Sequence, residues 1–211
     1  MARDRARTEE KILAAVGAIL AEPGGSRRIG INAIAARSGV DKVLIYRYFG
    51  GLDGLLAAFA AKADLWPTVA EAMSAAPEAG SDSGLAPALA VLIRGYIAAL
   101  RRRPATLEAI AWDMSEKNAL GARLDALRAE WRRDVTLRLF RRHKVPAKVD
   151  IEAVMAVLAA AADHLAARGR LGGEFYGIAP GDADGQRRLD AAFAAILEGV
   201  LNYAQRKKDS A

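Results

Sequence analysis

Residues 34–49 read Ile34-Ala35-Ala36-Arg37-Ser38-Gly39-Val40-Asp41-Lys42-Val43-Leu44-Ile45-Tyr46-Arg47-Tyr48-Phe49. A short helix over Ile31–Arg37 keeps Ile31, Ile34 and Ala35 on one side and is stopped by Ser38-Gly39, because glycine takes the left-handed conformation that closes a helix. Asp41 then caps a further helix running to about Tyr48. Two short helices joined through a Ser-Gly-Val turn have the outline of a helix-turn-helix. A helix enters the major groove only when it is anchored from behind and free at its leading edge. Here Val40, Ile45 and Phe49 can face the preceding helices, leaving Lys42, Val43 and Arg47 outward.

Upstream, Ile12, Leu13, Val16, Ile19 and Leu20 recur at three- and four-residue spacing, which predicts a helix over Thr8–Glu22. Thr8 followed by Lys11 forms an incomplete capping box at its start, and Pro23-Gly24-Gly25 ends it. Downstream, a helix is expected from Asp53 toward Ala63, with a kink where Pro67 removes a backbone donor. Past Ala75-Ala76-Pro77 the run Glu-Ala-Gly-Ser-Asp-Ser-Gly reads as a loop. Five amphipathic segments follow: Leu85–Arg103, Pro104–Met114, Asn118–His143, Asp150–Arg170 and Asp184–Gln205. Forty-eight alanines and 6% aromatic residues agree with an all-α chain, since strands favour β-branched and aromatic side chains. No fixed-period repeat is present.

The 211 residues are 53% hydrophobic and 27% charged, enough apolar material for a folded core. Net charge is +6, and residues 1–51 hold nine basic against five acidic groups, so the excess gathers in the first quarter. A basic N-terminal module is the electrostatic footprint of polyanion binding. The absence of cysteine removes disulfides, thiolate metal sites and cysteine nucleophiles. No signal peptide is evident at the start, and the longest apolar run, Ala153–Ala162, is about half of the roughly 20 residues a spanning helix needs. A soluble, cytoplasmic location without membrane contact is expected. Two distant histidines, no Gly-x-Ser-x-Gly elbow, no phosphate-cradling loop and no zinc spacing leave no catalytic residues, metal site or cofactor to assign, so an enzyme is not expected.

The 34–49 segment, with Glu10-Lys11-Ile12-Leu13-Ala14-Ala15 before it, resembles the DNA-binding domain of the TetR family of bacterial repressors over about residues 8–56. The resemblance implies an N-terminal three-helix DNA-binding domain at 1–51 and a larger helical effector-binding and dimerisation domain at 52–211. It places Lys42, Val43, Leu44 and Tyr46 at base-reading or groove-facing positions, Tyr48 at a phosphate contact and Asn32 at a second-helix position that sometimes reaches a base. The chemistry agrees: lysine donates to guanine or phosphate, Val43 and Leu44 suit thymine methyls, and tyrosine hydroxyls donate to phosphate. Three positions depart from the family. Gly30 stands where a capping threonine is usual, Asp41 where a serine or threonine is common, and Leu52 where a lysine often grips phosphate. Affinity is therefore expected to lean on Arg27, Arg28, Lys42, Arg47 and a basic arm of Arg3, Arg5 and Arg7.

In the larger part, the resemblance implies that the last two long helices build a four-helix bundle with those of a second copy, because paired recognition helices must enter successive major grooves. Ala153, Val154, Val157, Leu158, Ala161 and Leu165 on one helix, and Leu189, Phe193, Ile196, Leu197, Val200 and Leu201 on the other, form apolar stripes. An unknown small-molecule effector is expected in an apolar pocket around Trp66, Tyr96, Trp112 and Trp131. His164 reads as a hydrogen-bonded core or interface histidine. The expected function is a homodimeric repressor that binds palindromic double-stranded operator DNA and is released by its effector. A helical small-molecule-binding protein without DNA binding, and an activator of the same family, stay open as alternatives.

Overall fold

The computed structural model describes residues 2–62, 64–74 and 84–209, with side chains from Asp4 to Asn202. The loop expected before Gly84 and the side chains of Arg3 and Gln205 lie outside the described residues. Those residues form eleven helices and no strand, with one isolated antiparallel bridge between Phe175 and Ile178. The helices gather into two compact units, residues 1–66 with 103–128 and residues 67–102 with 129–211.

The first unit holds α1 (Ala2–Leu20), α2 (Gly25–Arg28), α3 (Ile31–Ser38), α4 (Lys42–Phe49), α5 (Leu52–Lys62), α8 (Pro104–Asp113) and the start of α9 (Ala119–Val135). Helix α1 packs on α2, α3, α5 and α8, and α4 packs on α3 and α5. The periodic residues of α1 are its buried face: Ile12, Val16 and Leu20 are fully enclosed, together with Ile34, Ile45 and Leu55. Thr8 does not cap α1, which starts six residues before it, at Ala2. The hydroxyl of Thr8 donates back to the Asp4 carbonyl, and Arg5 pairs with Glu9 at 2.8 Å, so this first part is a solvated helix without an apolar stripe. Pro67 does not kink a continuing helix either. Helix α5 ends at Lys62, the buried Leu65 carbonyl accepts from the Thr106 hydroxyl at 2.6 Å, and the chain around Pro67 is non-helical.

The second unit is organised on α7 (Leu85–Arg101), against which α6 (Val69–Ser74), α10 (Ile151–Leu171) and α11 (Ala183–Asp209) pack. The Thr68 hydroxyl caps α6 by accepting from the Glu71 N–H at 3.0 Å, and Asp150 caps α10 by accepting from Ala153 at 3.0 Å. Helix α9 continues through one π turn over Thr136–Phe140, where the Thr136 hydroxyl donates back to the Arg132 carbonyl. Leu158 of α10 and Phe193, Leu197 and Leu201 of α11 are buried, whereas Val157 is 69% and Ile196 50% exposed. The expected stripes thus divide into an inner face and an uncovered outer one.

Gly95 lets α7 meet α6, since a Cβ there would overlap the Ala72 carbonyl oxygen. That neighbour is backbone and cannot swing aside, so Gly95→Val is expected to cost roughly 3 kcal/mol or more in urea unfolding, at the upper end of overpacking penalties.

Candidate nucleic-acid interface

The turn between α3 and α4 is built as its sequence suggests. Gly39 closes α3 at φ 66°, and the Asp41 carboxylate accepts from the Val43 N–H at 2.8 Å, fixing the first turn of α4. Ile45 is fully buried and Phe49 and Val40 are half-buried, so α4 is held from behind. Its opposite edge is open: Val43 is 64% and Tyr46 54% exposed, and Lys42 and Arg47 are exposed as well. Leu44 is half-buried, at the margin of this edge. Asn32 is exposed on α3.

A cation of α1 reaches α4. The Arg5 guanidinium of α1 lies 5.0 Å above the Tyr48 ring, a cation–π contact joining the N-terminal basic residues to α4. Glu22, at the end of α1, clamps two further arginines: it accepts from Arg37 and pairs with Arg28 at 2.9 Å. The hydrogen bond from Arg37 above all, with help from Arg28, holds the Glu22 carboxyl below its ordinary range. Arg28 also donates to the Pro23 carbonyl at 3.2 Å. Arg27, Lys42 and Arg47 have no partner among the described residues and remain available to an anion. Pattern reading could not see the Glu22 clamp, because it depends on where the chain folds back after Pro23.

A buried anchor, an aspartate cap and an outward basic and aromatic edge, all behind a helix-turn-helix joint, are what a major-groove reader requires. The model of bacterial regulatory proteins of the tetR family matches residues 13–59. The chain carries a TetR-family DNA-binding domain over residues 13–59. The matched domain is that of DNA-binding bacterial regulators. The matched residues run from α1 to α5, so the TetR match covers the reading head. No curated protein matches the chain in sequence. Among the described residues no single helix is long and apolar enough to cross a membrane.

The four aromatic residues expected around an effector are divided between the units. Trp66 and Trp112 belong to the first, where Arg128 lies 5.2 Å over the Trp66 ring and the Trp112 indole donates to Glu116 at 3.4 Å. Tyr96 and Trp131 belong to the second and touch, with ring centroids 5.0 Å apart. The Tyr96 hydroxyl donates to the buried Asp163 carboxylate at 2.6 Å, and the Trp131 indole N–H is buried without an acceptor among the described residues. Asp163 rather than His164 is the buried polar group of α10; the His164 ring is exposed, 5.2 Å from Phe175. Helical register explains this, because adjacent residues point about 100° apart.

Proposed function

We propose that the protein is a ligand-responsive repressor that reads palindromic operator DNA as a homodimer and is released by a small molecule. The observation that carries this reading is the outward edge of α4, with Val43 and Tyr46 more than half exposed above a fully buried Ile45. In the proposed complex Lys42, Val43, Leu44 and Tyr46 face bases, while Arg27, Arg28, Arg47 and Tyr48 serve phosphates and Asn32 reaches the groove from α3. The uncovered apolar residues of α10 and α11 support a symmetric partner, since Val157 and Ile196 otherwise stay in water.

Tyr96, Trp131 and Asp163 support an effector contact in the second unit. An apolar molecule carrying a hydrogen-bond acceptor satisfies the Trp131 N–H, a buried donor that is costly to leave unmet. Such a ligand releases DNA by the difference in its affinity for the two states of the dimer.

Selection from random duplexes, followed by titration of the DNA flanking the gene, tests the reading. A retained sequence with two-fold symmetry, binding that weakens steeply with salt, and release by compounds that raise the melting temperature are expected. Recovery of no sequence preference would overturn it.

A further inference from the structure

Among the described residues the buried polar and charged side chains are Thr106, Glu108 and Asp163. Thr106 serves the Leu65 carbonyl and Asp163 the Tyr96 hydroxyl, and neither partner lies in the helix-turn-helix segment. Glu108 is used differently. Its Oε1 accepts from the backbone N–H of Ser26 at 3.0 Å and from the Ser26 hydroxyl at 2.6 Å, across 82 residues of sequence. Ser26 lies in α2, a single turn of helix whose own N-cap, Gly24, supplies no side-chain acceptor. The first N–H groups of a helix have no partner within it. Glu108, standing on α8, provides one from outside.

The consequence falls on the DNA-reading head. Helix α2 packs only one turn of chain against α1 and α8, and it runs through Ile29 into Gly30, which offers α3 no side-chain cap. With no side-chain cap at either helix start, the path from Gly24 to Asn32 is held by the Arg28–Glu22 pair at one point and the Glu108–Ser26 bonds at another. Burying a carboxylate is unfavourable unless strong donors meet it, so Glu108 is held to Ser26 as firmly as Ser26 is held to Glu108. We infer that Glu108 is a positioning residue for DNA recognition: through Ser26 it fixes α2 and the entry to α3, so that Arg27 and Asn32 are presented in one arrangement without Glu108 touching DNA.

The inference rests on DNA binding by the head, and its test has one arm independent of it. In the full chain, Glu108→Ala is expected to speed amide exchange over residues 26–31 and, well below the melting temperature, to weaken binding to a duplex recognised by the wild type by about tenfold. Glu108→Gln, whose amide oxygen still accepts both bonds, should stay within about threefold of wild type. If Glu108→Ala does not fold, Ser26→Ala removes the hydroxyl donor alone and should produce the same local exchange with a smaller loss of affinity. A variant that melts lower yet exchanges and binds like wild type would make Glu108 merely stabilising and overturn the inference. Absence of DNA binding by the wild type would strike the reading of the head instead, leaving the exchange arm to judge Glu108.

Discussion

Val157→Glu is expected to leave a folded monomer and to weaken operator binding by about a hundredfold or more. Val157 is 69% exposed on α10, so in a lone protomer the change puts a carboxylate into water and should alter stability by no more than about 0.5 kcal/mol. In a symmetric assembly the same substitution enters twice. Both carboxylates are then taken from water in a face whose neighbours, Ala153 and Ala160, carry no charge to meet them. Operator affinity falls with the dimer, because the second head no longer binds at the high local concentration that linkage to the first supplies. Sedimentation velocity, circular dichroism and operator titration on one preparation separate the effects. A Val157→Glu protein that still sediments as a dimer would place the partner on another face.

The parts of the fold that could be read in advance are those whose determinants lie within a few residues. Gly39 and Asp41 stop and start helices by their own backbone and side-chain chemistry, so the helix-turn-helix was legible to within a residue. The inward set of α1 was legible because burial imposes the spacing of Ile12, Val16 and Leu20. The same logic explains what was missed. Residues 4–7 are helical but meet no core, so no periodicity marks them, and Thr8 resembles a cap although its hydroxyl bonds backwards. Helix α2 is supported by a glutamate 82 positions away, and no window around Ser26 contains that information.

The apolar stripes of α10 and α11 were legible as stripes, but hydrophobicity alone could not say which residues turn inward. Leu158 is 3% exposed and its neighbour Val157 is 69% exposed, a difference set by the position of α7. The four aromatic residues expected around an effector fall in both units. Large side chains mark buried regions without saying which region, and the chain passes between its two units at 66, 102 and 128. Tyr96 and Trp131 are in ring contact, and Asp163, which anchors Tyr96, attracts no notice beside His164 in sequence.

Lys42→Ala is expected to lower operator affinity by about tenfold per recognition helix, hence about a hundredfold for a dimer, if each lysine reads a base edge. Lys42 is exposed at the first position of α4 beside the Asp41 cap, and its removal leaves the Asp41–Val43 hydrogen bond intact, so the helix itself should persist. The mode of contact is decided by two further readouts. A base contact makes the variant tolerate a changed base pair at one position of each half-site while the salt dependence stays as it was. A phosphate contact weakens all sequences alike and reduces the slope of log K against log salt by about 0.9 for each lysine lost. Tyr46→Phe removes only a hydroxyl from a ring that is 54% exposed, so its effect should be smaller than that of Lys42→Ala. Unchanged affinity and unchanged sequence preference in Lys42→Ala would take this residue out of the interface and shift recognition toward Val43 and Tyr46.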